Sequence, residues 1–172
     1  MNRLRRCWVW MSRIHRCWGF GIQSPKDYAF VREVVNEHWP YYAYNRLKTT
    51  TWLERKMGRL CLRLANSRQP AVMEHNKYDR WWEAGCQKTR RVEQGTLQHL
   101  EMALISITDD WEATARRCDS RSMVVVEDIW RDWQRWHQIE HDSRVGTTFD
   151  LYYCGIVTFD KERYAHNYKV NF

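Results

Sequence analysis

Four consecutive apolar residues, Met123 to Val126, three of them β-branched, stop abruptly at the acidic pair Glu127-Asp128. A strand solvated on one face alternates apolar and polar residues, because successive side chains point to opposite sides. An unbroken run needs apolar cover on both faces, as in a strand buried within a parallel sheet. Trp130 to Glu140 follows with helical character, and Thr147–Tyr152 and Ile156–Phe159 form a strand pair around Cys154-Gly155, a hairpin. Together these elements predict an α/β layered domain.

Upstream the pattern is helical. From Asn2 to Trp18, the residues Leu4, Cys7, Trp8, Met11, Ile14 and Trp18 recur at helical spacing, with Arg3, Arg6, Arg13 and Arg16 largely on the other side. Such a basic amphipathic helix suits an anionic membrane surface, RNA, or docking on its own domain with the arginines solvated. After the glycine-rich turn GFGIQSP, Ser24, Pro25 and Asp27 open a helix to about His38, with Tyr28, Val31, Val34 and Val35 on one face. Pro40 breaks it. A second helix, Thr50 to Asn66, aligns Leu53, Met57, Leu60, Cys61 and Leu64.

Beyond Pro70 the period changes. Ala71–Glu74 and Arg90–Glu93 are expected as short parallel strands, with Tyr78–Ala84 helical between them. Leu97–Ile107 is expected to be helical, and Asp109–Cys118 forms a helix whose Asp109-x-x-Glu112 start resembles a capping box. No internal repeat or low-complexity linker interrupts the chain. The division is therefore residues 1–66, a helical segment packed on the domain, and residues 67–172, the domain itself.

A length of 172 residues suits one domain with a hydrophobic core. The formal charge of +7 fits nucleic acid or an anionic membrane as partners, although many cytosolic enzymes carry as much. Six cysteines contain no C-x-x-C pair and follow no secretory signal, which predicts reduced thiols in a cytoplasmic protein. No apolar run approaches the roughly 20 residues of a transmembrane segment, so a soluble chain is expected.

GFGIQSP followed by YYAY, a helix ending in RLAN before a strand, then VVVEDI and FDLYYCGIVTFDKERY…YKVNF resembles a family of class I S-adenosylmethionine-dependent methyltransferase-like proteins of Bacteroidetes. The likeness covers roughly residues 13–68 and 122–172. It implies a Rossmann-like methyltransferase-type sheet of reduced strand number, with an antiparallel last strand inserted among parallel ones. It also implies a cofactor over the carboxyl ends of the strands. By position, Glu74 and Glu93 would hold S-adenosylmethionine, and Glu127 and Asp128 would lie near an unidentified small-molecule acceptor, Asp128 as the catalytic candidate. Where the family has a G-x-G-like turn, this chain has His75, Asn76, Lys77, Tyr78 and Asp79, and reaches Ala84-Gly85-Cys86 early. Glycine serves there through its conformational range and missing side chain, so these residues should fill the cofactor's space. The stretch between Glu93 and Ser122 is short for the helix and central strand of the family, with Thr108-Asp109-Asp110 as a remnant.

Several groups admit two readings. Glu127 and Asp128 match an acidic pair that holds a divalent metal in some O-methyltransferases, or Asp128 caps the next helix. His137 and His141 share a helix face as zinc ligands do, without a third ligand in view. Trp130, Trp133 and Trp136, with Trp81 and Trp82, suit either base stacking or packing. No cysteine carries a nucleophile's partner motif. Three functions follow: a methyltransferase, a non-catalytic binding protein on the same scaffold, and a basic nucleic-acid-binding protein.

Overall fold

The structure, a computed structural model, describes residues 3–161 and 166–172. Asn2 and residues 162–164 of the terminal segment, which enter the sequence reading above, lie outside the described residues. The chain forms two compact units: residues 23–96, and residues 1–22 together with 97–172. This division differs from the break at residues 66–67 that local pattern suggests, because the N-terminal segment associates with the C-terminal sheet through contacts that no local pattern encodes.

The chain opens with α1 (Arg3–Ser12), followed by an irregular 3-10 segment, Ile14–Gly19, in which Trp18 takes a left-handed conformation. The single helix expected to Trp18 therefore stops early. In the unit of residues 23–96, α2 (Pro25–Phe30) begins as expected: the Ser24 hydroxyl accepts from the Asp27 N–H at 3.3 Å, with proline in the first turn. It continues as a π-helical turn, Val31–Val35, closed by the Asn36 N–H on the Val31 carbonyl. Val31 and Val35 are fully buried. The short α3 (Ala43–Arg46) leads to α4 (Trp52–Arg68), where the Thr51 hydroxyl accepts from the Glu54 N–H and the Glu54 carboxylate accepts from the Thr50 N–H.

Arg63 organises this unit. It is buried, and its guanidinium donates to the Val34 and Val35 carbonyls, both at 2.7 Å, and to the Tyr44 hydroxyl at 3.1 Å. A cation thus satisfies carbonyls at the end of the α2 segment that have no helical partner. Next come β1 (Val72–Glu74), α5 (Asp79–Gly85) and β2 (Arg90–Val92), a strand–helix–strand unit with β1 and β2 parallel. Helix α5 lies close on α4, where glycines make room: a Cβ on Gly58 would fall 2.4 Å from the Trp81 ring, and one on Gly85 would fall 2.2 Å from the Leu62 carbonyl oxygen.

The second unit carries a five-stranded sheet. Its strands are β3 (Met102–Ser106), β4 (Met123–Glu127), β5 (Thr147–Asp150), β6 (Cys154–Thr158) and β7 (His166–Lys169), with α6 (Trp111–Ala115) and α7 (Trp133–Glu140) among the connections. The spatial order is β3-β4-β6-β5-β7; β3 runs parallel to β4, β6 is antiparallel to both β4 and β5, and β7 is parallel to β5. Strand β4 is buried along its whole length, as its unbroken apolar run requires. On one side Val124, Val126 and Val157 pack with Trp136 and Ile139 of α7. Trp136 sits so near β6 that a Cβ on Gly155 would fall 2.1 Å from its ring.

Strand β3 corrects two expectations. Residues 97–107 are not a helix, and the stretch before Ser122 does hold a strand. Met-Ala-Leu favours helix locally, but parallel pairing with β4 from Met102↔Met123 to Ser106↔Glu127 gives the backbone its partners. The next helix is capped by Asp110, not Asp109: the Asp110 carboxylate accepts from the Ala113 N–H at 3.1 Å, while Asp109 accepts from the Ser106 N–H at 2.8 Å.

Arg13 locks the N-terminal segment to this sheet. It meets Asp150, at the end of β5, through two N–H···O contacts of 2.9 Å, and donates further to the Asp150 carbonyl. Asp150 is 1% exposed and the Arg13 side chain 12%. Asn171 adds a tie from the chain's end, its N–H donating to the Arg16 carbonyl and its amide to the Trp10 carbonyl. Replacing Arg13 with Ala strands the Asp150 carboxylate and is expected to cost about 3 kcal/mol, read from urea unfolding. Gly155→Ala should cost about 2 kcal/mol in the same assay, since the Trp136 ring has no room to withdraw.

Candidate functional site

The candidate residues occupy strand ends in each unit. In the smaller unit β1 ends on Glu74 and parallel β2 is followed by Glu93, so these two carboxylates terminate neighbouring strands; Glu74 is half-buried and Glu93 exposed. The turn after β1 is built around Asn76. Its side-chain oxygen accepts from the Tyr78 N–H and from the Trp82 indole N–H, both at 3.0 Å, and its own N–H donates to the Asp79 carboxylate at 2.9 Å. His75 also meets Asp79, at 2.5 Å. Tyr78 and Trp82 are buried beneath the turn. Gly85 is a helix-packing residue at the end of α5 and no part of this turn.

In the larger unit β3 and β4 end side by side, the Ile107 N–H donating to the Glu127 carbonyl at 2.9 Å. Thr108, Asp109 and Asp110 follow the carboxyl end of β3, beside the end of β4 that carries Glu127 and Asp128. Glu127 is buried. Asp128 lies in the left-handed region at φ 59° and makes no side-chain cap; its carboxylate pairs instead with Arg131 at 3.2 Å. The cap reading of Asp128 is therefore wrong. The expected helix from Trp130 splits into a 3-10 turn, Ile129–Arg131, and α7, and Asp132 caps α7 by accepting from the Arg135 N–H at 2.9 Å. A left-handed residue interrupts the helix before a cap can form.

Beside α6 and α7 lies an open cleft of about 490 Å³, lined by Asp110, Glu112, Asp132 and Asp142 among others. Every one of these acids already has a partner. Asp110 and Asp132 cap helices, and Glu112 pairs with Arg144 and Arg116. Asp142 accepts from the Arg144 Nε at 2.9 Å and from the Trp111 indole at 2.8 Å. The hydrogen bonds from Arg144 hold the Asp142 carboxyl well below the usual carboxylate range, against the opposing effect of burial.

The histidines do not converge. His137 pairs with Glu140 at 2.7 Å, and His141 meets the His137 carbonyl at 2.7 Å. Among the described residues no group of three or more His, Cys, Asp or Glu side chains is placed to hold a metal ion. The tryptophans form no common platform. Trp81, Trp82 and Trp136 are buried, Trp130 lies under the guanidinium of Arg5 at 4.5 Å, and Trp133 meets Tyr152 edge-on. All six cysteines are free thiols, and burial pushes the Cys118 thiol up to about 11, where it stays protonated at neutral pH. No helix among the described residues is long and apolar enough to cross a membrane.

Sequence reasoning missed Asp150, at the end of the Thr147-Thr148-Phe149 strand segment, and β7, a largely exposed polar edge strand. No protein family, curated protein or solved structure matches this chain.

The lowered carboxyl of Asp142 sets a pH dependence. Its stabilisation is fully present above the ordinary aspartate value of roughly 4 and is lost as pH falls through the lower folded-state value. Urea unfolding as a function of pH should show wild-type stability falling below about pH 4, and a shallower fall for Asp142→Asn.

Proposed function

We propose that this chain is a non-catalytic descendant of the class I methyltransferase scaffold and works by binding instead of methyl transfer. The lineage is supported by the sheet order, in which antiparallel β6 lies between β4 and β5, two strands that run in the same direction. It is supported also by the parallel β1-α5-β2 unit, where β1 ends on Glu74 and β2 is followed by Glu93. The recovered strand β3 brings the arrangement nearer to the family's closing half, since Asp109 and Asp110 follow its carboxyl end.

The loss of chemistry rests on one observation, the turn after β1. A cofactor's methionine moiety needs a glycine backbone it can approach closely. Here the turn is held by the Asn76 side chain, which accepts from the Tyr78 N–H and the Trp82 indole, and both of those residues are buried. These residues do not fit S-adenosylmethionine. To open the turn, the Trp82 indole N–H would have to lose its buried partner, at about 1–3 kcal/mol. Nor do Glu127 and Asp128 fit a divalent metal: the first is buried, the second is paired with Arg131, and among the described residues no group of three or more His, Cys, Asp or Glu side chains is placed to hold an ion.

Calorimetric titration of the folded protein with S-adenosylmethionine is expected to show no binding up to about 1 mM, some 4.1 kcal/mol. Saturable binding tighter than about 100 μM would overturn this reading and restore the enzyme, with Glu74 and Glu93 as cofactor ligands and Asp128 near the acceptor.

A further inference from the structure

We propose that the N-terminal segment, residues 3–20, is a docking surface for an anionic lipid bilayer. This inference stands independently of the methyltransferase reading. Helix α1 is docked on its own unit through its less apolar side. Val9 is its one buried residue, at 3% exposure, and Arg5 reaches the Tyr152 hydroxyl and the Trp130 ring from the same side. At roughly 100° per residue, Cys7 and Met11 lie opposite Val9, and Trp8 and Trp10 flank it on either side. Trp8 is 66% exposed and Met11 65%. The irregular segment that follows adds Ile14 and Phe20, the latter 77% exposed. Apolar side chains clustered this densely in one short exposed segment mark an interaction surface.

Charge selects the occupant. Residues 1–26 contain Arg3, Arg5, Arg6, Arg13, Arg16 and Lys26 and no Asp or Glu. A second copy of the chain would bring two acid-free cationic segments together, with like charges opposed. A nucleic acid would be gripped by cations, but Arg13 is held by the buried Asp150 and Arg5 is engaged by Tyr152 and the Trp130 ring, while Leu4, Trp8, Met11 and Phe20 present apolar surface to solvent. An anionic bilayer satisfies both features: its acyl boundary takes the apolar face, its headgroups take Trp8 and Trp10, and its surface charge attracts the flanking arginines. The helix would lie in the plane of the interface.

The test is co-sedimentation of the full chain with vesicles of phosphatidylcholine alone and of phosphatidylcholine with phosphatidylglycerol. We expect pelleting with the anionic vesicles, little with the neutral ones, and weakening with added salt. The double variant Trp8→Glu/Met11→Glu should lower partitioning at least about tenfold with an unchanged circular dichroism spectrum. Phe20→Asp, outside the helix, should lower it by about fivefold and serves if the double variant misfolds. Wild-type protein that stays in the supernatant with anionic vesicles would overturn the proposal. So would variants that pellet as the wild type does, or a lipid-free dimer that the variants dissolve while vesicles go unbound. S-adenosylmethionine titration reads none of these outcomes.

Discussion

The buried pair between Arg13 and Asp150 is the contact on which the larger unit depends. Two N–H···O contacts of 2.9 Å hold a guanidinium against a carboxylate that is almost wholly removed from water. The same carboxylate also accepts from the Tyr152 N–H at 2.8 Å and so fixes the left-handed residue between β5 and β6. Removing charges from water costs several kcal/mol per ion, and such a pair persists only where geometry and extra hydrogen bonds offset that cost. Here both conditions hold, and one residue joins the chain's beginning to the sheet's hairpin.

That pair also explains the orientation of α1. An amphipathic helix ordinarily buries its apolar stripe. With Arg13 drawn inward to Asp150 and Arg5 to Tyr152 and Trp130, the side carrying Val9 becomes the docked one, and Trp8 and Met11 are left outward. The expected docking of the helix on its own domain with its arginines solvated is thus reversed at Arg13, which is drawn to the buried Asp150. A polar anchor decides the facing, and hydrophobicity alone would have decided it the other way.

The smaller unit shows the same principle at the turn after β1. Asn76 serves two donors at once, and Tyr78 and Trp82 pack beneath it. Packing of this kind stabilises a turn without glycine. Gly58 and Gly85 have a different use, letting α4 and α5 approach closely. Gly58 and Gly85 thus serve helix contact, while the turn after β1 rests on asparagine.

Much of the framework was legible locally. The apolar run of β4, the Ser24 and Thr51 caps and the pairing of β5 with β6 follow from residue order, because each depends on neighbours a few positions away, although the turn falls at residues 151–153 and not at Cys154-Gly155, which lie within β6. Glu74 and Glu93 at the ends of paired strands were legible for the same reason. Strand β3, the Arg131 partner of Asp128, the burial of Asp150 and the outward face of α1 were not. Met102–Ser106 has residues that favour helix, and only an open strand edge on β4 makes them extend. Sequence alone determined those elements whose signals are local, such as β4 and the Ser24 and Thr51 caps. Tertiary structure decided which residues pair and which side is buried, because that rests on contacts outside the local window, from the β3–β4 register to the Arg13–Asp150 pair.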